Sequence, residues 1–584
     1  MAESRVLALL HSPRSLSALP AEARVLALSP RVVVEPQRRV ASTPESLLPA
    51  GTAEQIEREA RDLAERWWQG RSSSQFTWES VDLATCFSYG LRFVARDLLK
   101  SAALVDKLRE KEQPTELVTD APTSVLPFPS YPYLHAIGPL LRAWARKAAL
   151  RFRTLPATQF RYRKSRQPSV LRAYSALAAK SAVRRLGGNH TLAAVGAFPE
   201  FYRPVAAAWA MEQGSTAVIS PSSAPIRSDA ALKMFYVPVE SIPDAHRRAE
   251  IREFALRTLE SFPTRLPFSE SDPDRLEVAH LFLGEAHRRL EGELQSMACL
   301  GSAFERGLEK ASAVLTMETH TPFSRAAVRY ARRKDVPLTV LQHGVVADPA
   351  SYRETETDRV AVWGPRDAEW FERNLAPSVF VEPTGNPRYD ALTSHMAPSE
   401  GRRPSSHIVT FASAPFGHLS AADSPWDRDR LQRMVLDAID GFPDAQLIVK
   451  RHPAEAPEPL PSTNVRLSEV TGGDTLALIR SSSVVLSRGS TVALEAMYLD
   501  RPSIFLGPPV PESPFCPPED GGGLRAVTSA ELHDLLRRLF YDFDFRKGIV
   551  ESQREYLKHS FAPLDGRASG RLVSFLRKTP AGRR

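Results

Sequence analysis

"VVLSRGSTVALEAMYLDRPSIF", Val484 to Phe505, reads as strand, turn, helix and second strand. Val484 to Leu486 is apolar without alternation, as in a strand covered on both faces. Ser487 to Thr491 is a small polar cluster around Gly489, suited to a tight bend. Ser490 or Thr491 could cap the helix that follows. Ser503 to Phe505 then opens another apolar run. A strand that rejoins its layer through a helix runs parallel to the first. The stretch therefore implies an α/β fold, with parallel sheets between layers of helix.

The same rhythm repeats outward. "RVLALL", "ARVLALSP", "TELVTD", "HTLAAVG" and "STAVISP" lie in the first half. "SAVLTM", "PLTVLQ", "DRVAVWG", "SVFVEP", "SHIVTF", "AQLIVK", "SSVVLS" and "PSIFLG" lie in the second. A Pro-, Gly- and Ser-rich joint, "EPTGNPRYDALTSHMAPSEGRRPSS", separates two blocks. The expected layout is an N-terminal Rossmann-like domain over 1–385, with helical and basic insertions. A C-terminal Rossmann-like domain follows over 386–545, and residues 546–584 are read as helices. No fixed-period repeat points to a solenoid or propeller.

The 584 residues suffice for more than one core, and 25% charged residues suit a water-exposed surface. Cys86, Cys299 and Cys516 are far apart and form no zinc or disulfide pattern, which suits a reducing compartment. The N-terminus reads as no leader, and no apolar window reads as a spanning helix. The expected location is the cytoplasm. Ala121 to Pro199 holds thirteen Lys or Arg and no Asp or Glu, a strongly basic region in a chain of net charge +8. Within it "HAIGPLLRAWARKAALRFR" has the pattern of a basic amphipathic helix. That pattern suits either an anionic membrane surface at the inner face of the plasma membrane or a packed helix with solvated arginines. No nucleic-acid motif accompanies the charge, so nucleic acid is not an expected partner.

Chemistry is expected at strand ends, because open α/β sheets bind ligands beyond the carboxyl ends of their strands. In "VLQHGV" His343 follows a strand and precedes Gly344. It could act as a general base, contact a phosphate, or cap the turn. In "LIVKRHPAE" Lys450, Arg451 and His452 offer an anion clamp or a solvated basic loop. In "SRGSTVALEA" the turn Ser487, Arg488, Gly489, Ser490 and Thr491 could seat a phosphate on the helix N-terminus. Glu495, about one turn on, could face the same crevice. In "VLTMETHTP" Glu318 could be an acid or base, or a carboxylate favoured by a helix start. Asp120, ending "TELVTD", is a carboxylate of the same kind. No HExxH, GxSxG or DxD-like metal cluster is present, so no metal or resident cofactor is expected.

The ordered set "LQHG", "VWG", "TGNPRYD", "KRHP" and "SRGSTVALEAMYLDRPSIF" resembles GT-B-type bacterial transferases of capsule and surface-polymer synthesis. These are CDP-glycerol glycerophosphotransferases and enzymes that use CMP-Kdo or CMP-sialic acid. The resemblance covers roughly Ala313 to Leu576. It implies two Rossmann-like domains facing across a cleft, with C-terminal helices returning to the first. It implies a nucleotide-sugar or CDP-alcohol donor as substrate, and a glycan or lipid-linked acceptor. It also implies that His343 serves catalysis or phosphate contact, with His343 or Glu318 as the base. His452, Ser490 and Thr491 would hold the donor phosphate, and Glu495 the ribose. The turn "LSRGST" departs from the family, and Arg488 stands where a neutral residue is common. A UDP-N-acetylglucosamine 2-epimerase and a non-catalytic scaffold are the competing readings.

Overall fold

The computed structural model describes residues 5–578 apart from 30–31, 33–39, 50, 68–72, 122–133, 135, 157–189, 197, 222–227, 261–272, 347–351, 354, 396–406, 414–424, 453–454, 456–465 and 510–512. Each apolar run quoted above is a strand. They assemble into three parallel sheets among the described residues, and a short antiparallel ribbon, Thr77–Trp78 with Val81–Asp82, stands apart.

The first block holds two of these sheets, where the sequence reading had one Rossmann-like domain. The N-terminal sheet runs in the order Val40–Ser42, Arg24–Ala27, Val6–Leu10, Glu116–Thr119, Arg151–Thr154. The middle sheet runs Met234–Pro238, Ser215–Ser220, Thr191–Val195, Ala313–Thr316, Leu338–Leu341, Arg359–Val362, Phe380–Pro383. The C-terminal sheet runs Arg466–Thr471, Ala445–Arg451, His407–Ala412, Val484–Ser487, Ser503–Leu506, Leu524–Ala526. In each, the first strand in the chain is central, the next two lie to one side and the later ones to the other. That is the Rossmann order, and it leaves a crevice where the order reverses. The middle and C-terminal sheets are the two facing Rossmann-like domains of a GT-B fold, and the N-terminal sheet is an added layer.

That layer shares a core with the middle sheet. Leu7, Leu9, Leu26 and Leu117 belong to one apolar cluster with Ala193, Val195, Ile219, Val314 and Val340. Residues of the helices Ser88–Lys111 and Pro273–Arg306 lie in the same cluster. The other face of the middle sheet packs under Phe201, Tyr202 and Trp209, and under Leu572, Phe575 and Leu576 of the last helix. That helix, Ala568–Arg577, has therefore returned to the middle domain. Lys578 pairs with Glu382 at 3.1 Å, Arg571 Nε donates to the Thr384 carbonyl at 2.9 Å, and Arg577 pairs with Glu212. Asp390 caps its start, accepting from Ala568 N–H at 2.9 Å and Ser569 N–H at 2.8 Å.

The proposed membrane-facing helix is a packed one. Ile137, Leu140, Leu141, Trp144 and Ala145 are buried in the shared core, while Arg142, Arg146 and Lys147 are exposed. Its apolar face is occupied by protein, so it has none to offer a bilayer. Much of the basic region, 122–133 and 157–189, lies outside the described residues. Among the described residues no helix is long and apolar enough to cross a membrane.

The C-terminal segment crosses back to the middle domain beside Gly364. Ala562 N–H donates to the Trp363 carbonyl at 2.9 Å, and a Cβ on Gly364 would overlap the Ser560 carbonyl and the Phe561 backbone. Neither neighbour is a flexible side-chain end. Gly364→Ala is expected to cost about 1–3 kcal/mol. Differential scanning calorimetry should show the lower Tm; an unchanged Tm would show that this crossing tolerates a side chain.

Candidate functional site

Two carboxyl strand ends of the middle sheet converge on His343 and Glu318. Gln342, which ends one of them, is buried and held from several sides. Its side-chain nitrogen donates to the Gly344 carbonyl and to Asp367 Oδ2, both at 3.0 Å. Its side-chain oxygen accepts from Trp363 N–H at 2.9 Å. The turn that carries His343 is therefore rigid. His343 Nδ1 lies 2.8 Å from the Met317 carbonyl. A carbonyl can only accept, so Nδ1 carries the proton and Nε2 keeps its lone pair. Burial lowers the imidazole pKa, partly offset by the Met317 bond and by nearby Glu200. His343 is thus a neutral base at pH 7.

Glu318 follows the adjacent strand. Burial pushes its carboxyl up to about 7, against a hydrogen bond from Thr321. Its side chain keeps 23% of its surface open, and Oε2 lies 3.9 Å from His320 Nδ1. Phe198 and Tyr352 flank His343, with ring centroids at 5.8 and 6.1 Å.

The turn Ser487–Thr491 meets this edge from the other domain. Gly489 has φ +119, in the left-handed region, and open space around its missing Cβ. Ser487 Oγ accepts from Gly489 N–H at 3.2 Å and pins the bend. Ser490 occupies the N-cap position of the helix Thr491–Tyr498, but its hydroxyl makes no cap bond. That hydroxyl is buried and has no hydrogen-bond partner. The expected capping role is therefore not realised. Thr491 Oγ1 instead accepts from Val345 N–H at 3.4 Å, so the two domains touch turn to turn. Arg488 is half-buried beside them.

The basic run at Lys450–His452 does not converge as a three-member clamp. Along Ala445–Arg451 buried and half-buried residues alternate, so Lys450 and Arg451 point to opposite faces. Arg451 is 5% exposed and pairs with Glu469 at 2.6 Å and Glu455 at 3.7 Å. Glu455 also accepts from Ser413 Oγ at 2.7 Å and from His452 N–H at 3.2 Å, which closes the turn. Lys450 and His452 remain as the candidate phosphate ligands. Burial, then the Lys450 ammonium, lower the His452 pKa.

Glu495, expected to hold the ribose, lies at the joint between the two domains. It is 2% exposed, pairs with Arg388 at 3.2 Å and accepts from Tyr389 OH at 3.4 Å. Burial raises its pKa; Arg388, Tyr389 and Lys450 offset part of that rise. The carboxylate is committed to the domain joint. Asp120 is likewise structural, accepting from His11 N–H at 2.7 Å, Ser12 N–H at 2.9 Å and Ser15 Oγ at 2.8 Å.

Gln342, Arg388, Tyr389 and Glu455 sit inside the quoted motifs, but sequence reading gave them no role. Gln342 and Glu455 differ little in type from surface polar residues, and only the turn geometry reveals what they hold. Among the described residues no three His, Cys, Asp or Glu group as a metal site.

No family profile matches the chain, and no curated protein matches it in sequence. Solved structures align with about two thirds of the chain. A putative UDP-N-acetylglucosamine 2-epimerase from Listeria monocytogenes is 14% identical over 66% of this chain and 94% of its own, at TM-score 0.41. The UDP-GlcNAc 2-epimerase from Neisseria meningitidis, bound to UDP-GlcNAc, is 14% identical over 67% and 100%, at 0.39. A glycosyltransferase from Streptomyces nogalater is 14% identical over 66% and 99%, at 0.36. At these levels none transfers a substrate or a residue role to this chain.

Glu318 gives the site a pH signature. Its folded pKa is about 7 against an ordinary 4.5, so between those values the folded state binds more protons than the unfolded. Stability therefore falls as pH rises through that window, and the loss is complete above it. Glu318→Gln should be more stable than the parent at pH 8, by roughly 1–3 kcal/mol. The difference should shrink toward pH 4.5 in Tm measured across pH; a pH-independent difference would show that Glu318 titrates normally.

Proposed function

We propose that the chain is a GT-B transferase that moves a group from a nucleotide-activated donor to an acceptor hydroxyl, with no resident cofactor. The observation that carries this reading is the buried, unpartnered Ser490 hydroxyl at a helix N-terminus. It lies one residue from the contact that joins its turn to the His343 turn. A donor phosphate at that turn would satisfy the hydroxyl and take the free N–H groups of the helix start. Lys450 and His452 would complete the seat.

In the proposed reaction, His343 Nε2 takes the proton of the acceptor hydroxyl. The acceptor oxygen then bonds to the activated carbon of the donor sugar, or to phosphorus in a CDP-alcohol. The bond from that centre to the nucleotide's phosphate oxygen breaks, and the electron pair leaves on the phosphate. Ser490, the helix start and Lys450 meet the developing charge. Glu318, whose carboxyl burial pushes up to about 7, would hold or release a proton beside the acceptor. The ordered motifs favour a CMP- or CDP-linked donor and a bacterial surface polysaccharide as product.

A thermal-shift screen with CMP, CDP, UDP and GDP tests the donor site, because a ligand of the folded state raises Tm. Ser490→Ala should weaken the responding nucleotide about tenfold. His343→Asn should retain that affinity and lower turnover by roughly 10²–10⁴-fold. No response to any nucleotide, or a Ser490→Ala variant that binds as the parent does, would reject the seat.

A further inference from the structure

The added N-terminal layer reaches the cleft. Its helix Ser88–Lys111 begins beside the loop that carries Glu318 and His320. The Tyr89 ring lies against His320, with centroids 4.6 Å apart and planes tilted by 33°. Phe93, one turn on, meets Tyr89 edge-on at 5.0 Å. Tyr352 stands edge-on to His320 at 6.3 Å. Tyr89, His320 and Tyr352 are each half-buried, so this wall keeps surface outside the core. It continues directly from the Glu318 carboxylate, 3.9 Å from His320.

The wall is held in place. Arg325, 4% exposed, donates from Nε to the Thr319 carbonyl at 2.9 Å and from its guanidinium to Ser88 Oγ at 2.6 Å. Arg329 bonds the Asp82 carbonyl at 2.8 Å and also Thr85. These bonds tie the start of the Tyr89 helix to the loop bearing Glu318. A ring fixed this way loses little freedom when something stacks on it.

Resting on the transferase reading above, we infer that Tyr89, His320 and Tyr352 form the acceptor subsite, and that the acceptor is a carbohydrate. The donor-side groups all come from the C-terminal sheet, whereas this wall comes only from the N-terminal layer and the middle domain. A sugar ring has an apolar C–H face and a polar edge. The aromatic wall takes the face, and Glu318 with His343 takes a hydroxyl at the edge. The extra layer thus selects the acceptor, which the two facing domains leave unspecified.

Saturation-transfer NMR of the full chain against neutral, N-acetylated and uronic-acid mono- and disaccharides tests this. At least one sugar should bind, with transfer concentrated on the C–H protons of one ring face. Tyr89→Leu, which keeps apolar bulk but removes the flat ring, should weaken it about tenfold, whereas Tyr89→Phe should bind as the parent does. Tyr352→Leu removes a second ring independently, should Tyr89→Leu lower Tm. The nucleotide thermal shift should survive in every variant. Unchanged sugar binding in both Leu variants, or no sugar bound by a chain that binds nucleotide, would overturn the subsite. Tyr89-dependent sugar binding without any nucleotide response would keep the subsite and reject the donor reading.

Discussion

A carboxylate buried between two domains must be neutralised or matched, and Glu495 imposes that condition on this fold. It sits on the helix that follows the Ser487–Thr491 turn, at 2% exposure. Stripping its water is costly unless a cation replaces it. Arg388 supplies that cation from the other side of the joint, and the Tyr389 hydroxyl adds a hydrogen bond. Both belong to "GNPRYD", whose Asp390 holds the start of the last helix. One short segment thus fixes the C-terminal domain, the returning helix and the middle sheet together. The meeting of the His343 and Thr491 turns depends on that joint.

Desolvation also sets the chemistry of the cleft. It disfavours charge of either sign, so it lowers the pKa of His343 and raises that of Glu318. Both shifts favour neutral forms near pH 7. A neutral imidazole with a fixed tautomer and a carboxyl titrating near 7 can exchange protons with a hydroxyl without a strong external base. Asp367, which holds Gln342, is likewise pushed up to about 7 by burial. The turn behind His343 therefore carries less negative charge than an ordinary carboxylate would give it.

Legibility in the sequence followed burial. Central strands such as Val484–Ser487 and Leu338–Leu341 are wholly buried and stand out as apolar runs. Several edge strands escaped notice, although Phe380–Pro383, an edge strand too, did not. Arg151–Thr154 and Arg466–Thr471 carry largely polar, exposed side chains, because one flank of an edge strand faces water. The split of the first block into two sheets was equally invisible. Its strands all look alike, and only pairing assigns Glu116–Thr119 to one sheet and Thr191–Val195 to another. Among site residues, the turns were found but the direction of their side chains was not. Lys450 and Arg451 are neighbours in sequence and diverge in space, and Ser490, read as a cap, holds no cap bond.

By itself the sequence determined the local units: parallel strands, the helices between them, and polar turns at their carboxyl ends. Those follow from periodicity, glycine and small polar residues, which act within a few positions of the chain. The tertiary structure decided which turns meet and which charges are spent on structure. Glu495 and Arg451 were themselves buried and spent on ion pairs, while the turns carrying His343 and Ser490 were brought into contact. Tyr89 was brought against His320 from more than two hundred residues away. Such choices depend on water being excluded between surfaces remote in sequence, and no local pattern encodes where that exclusion falls.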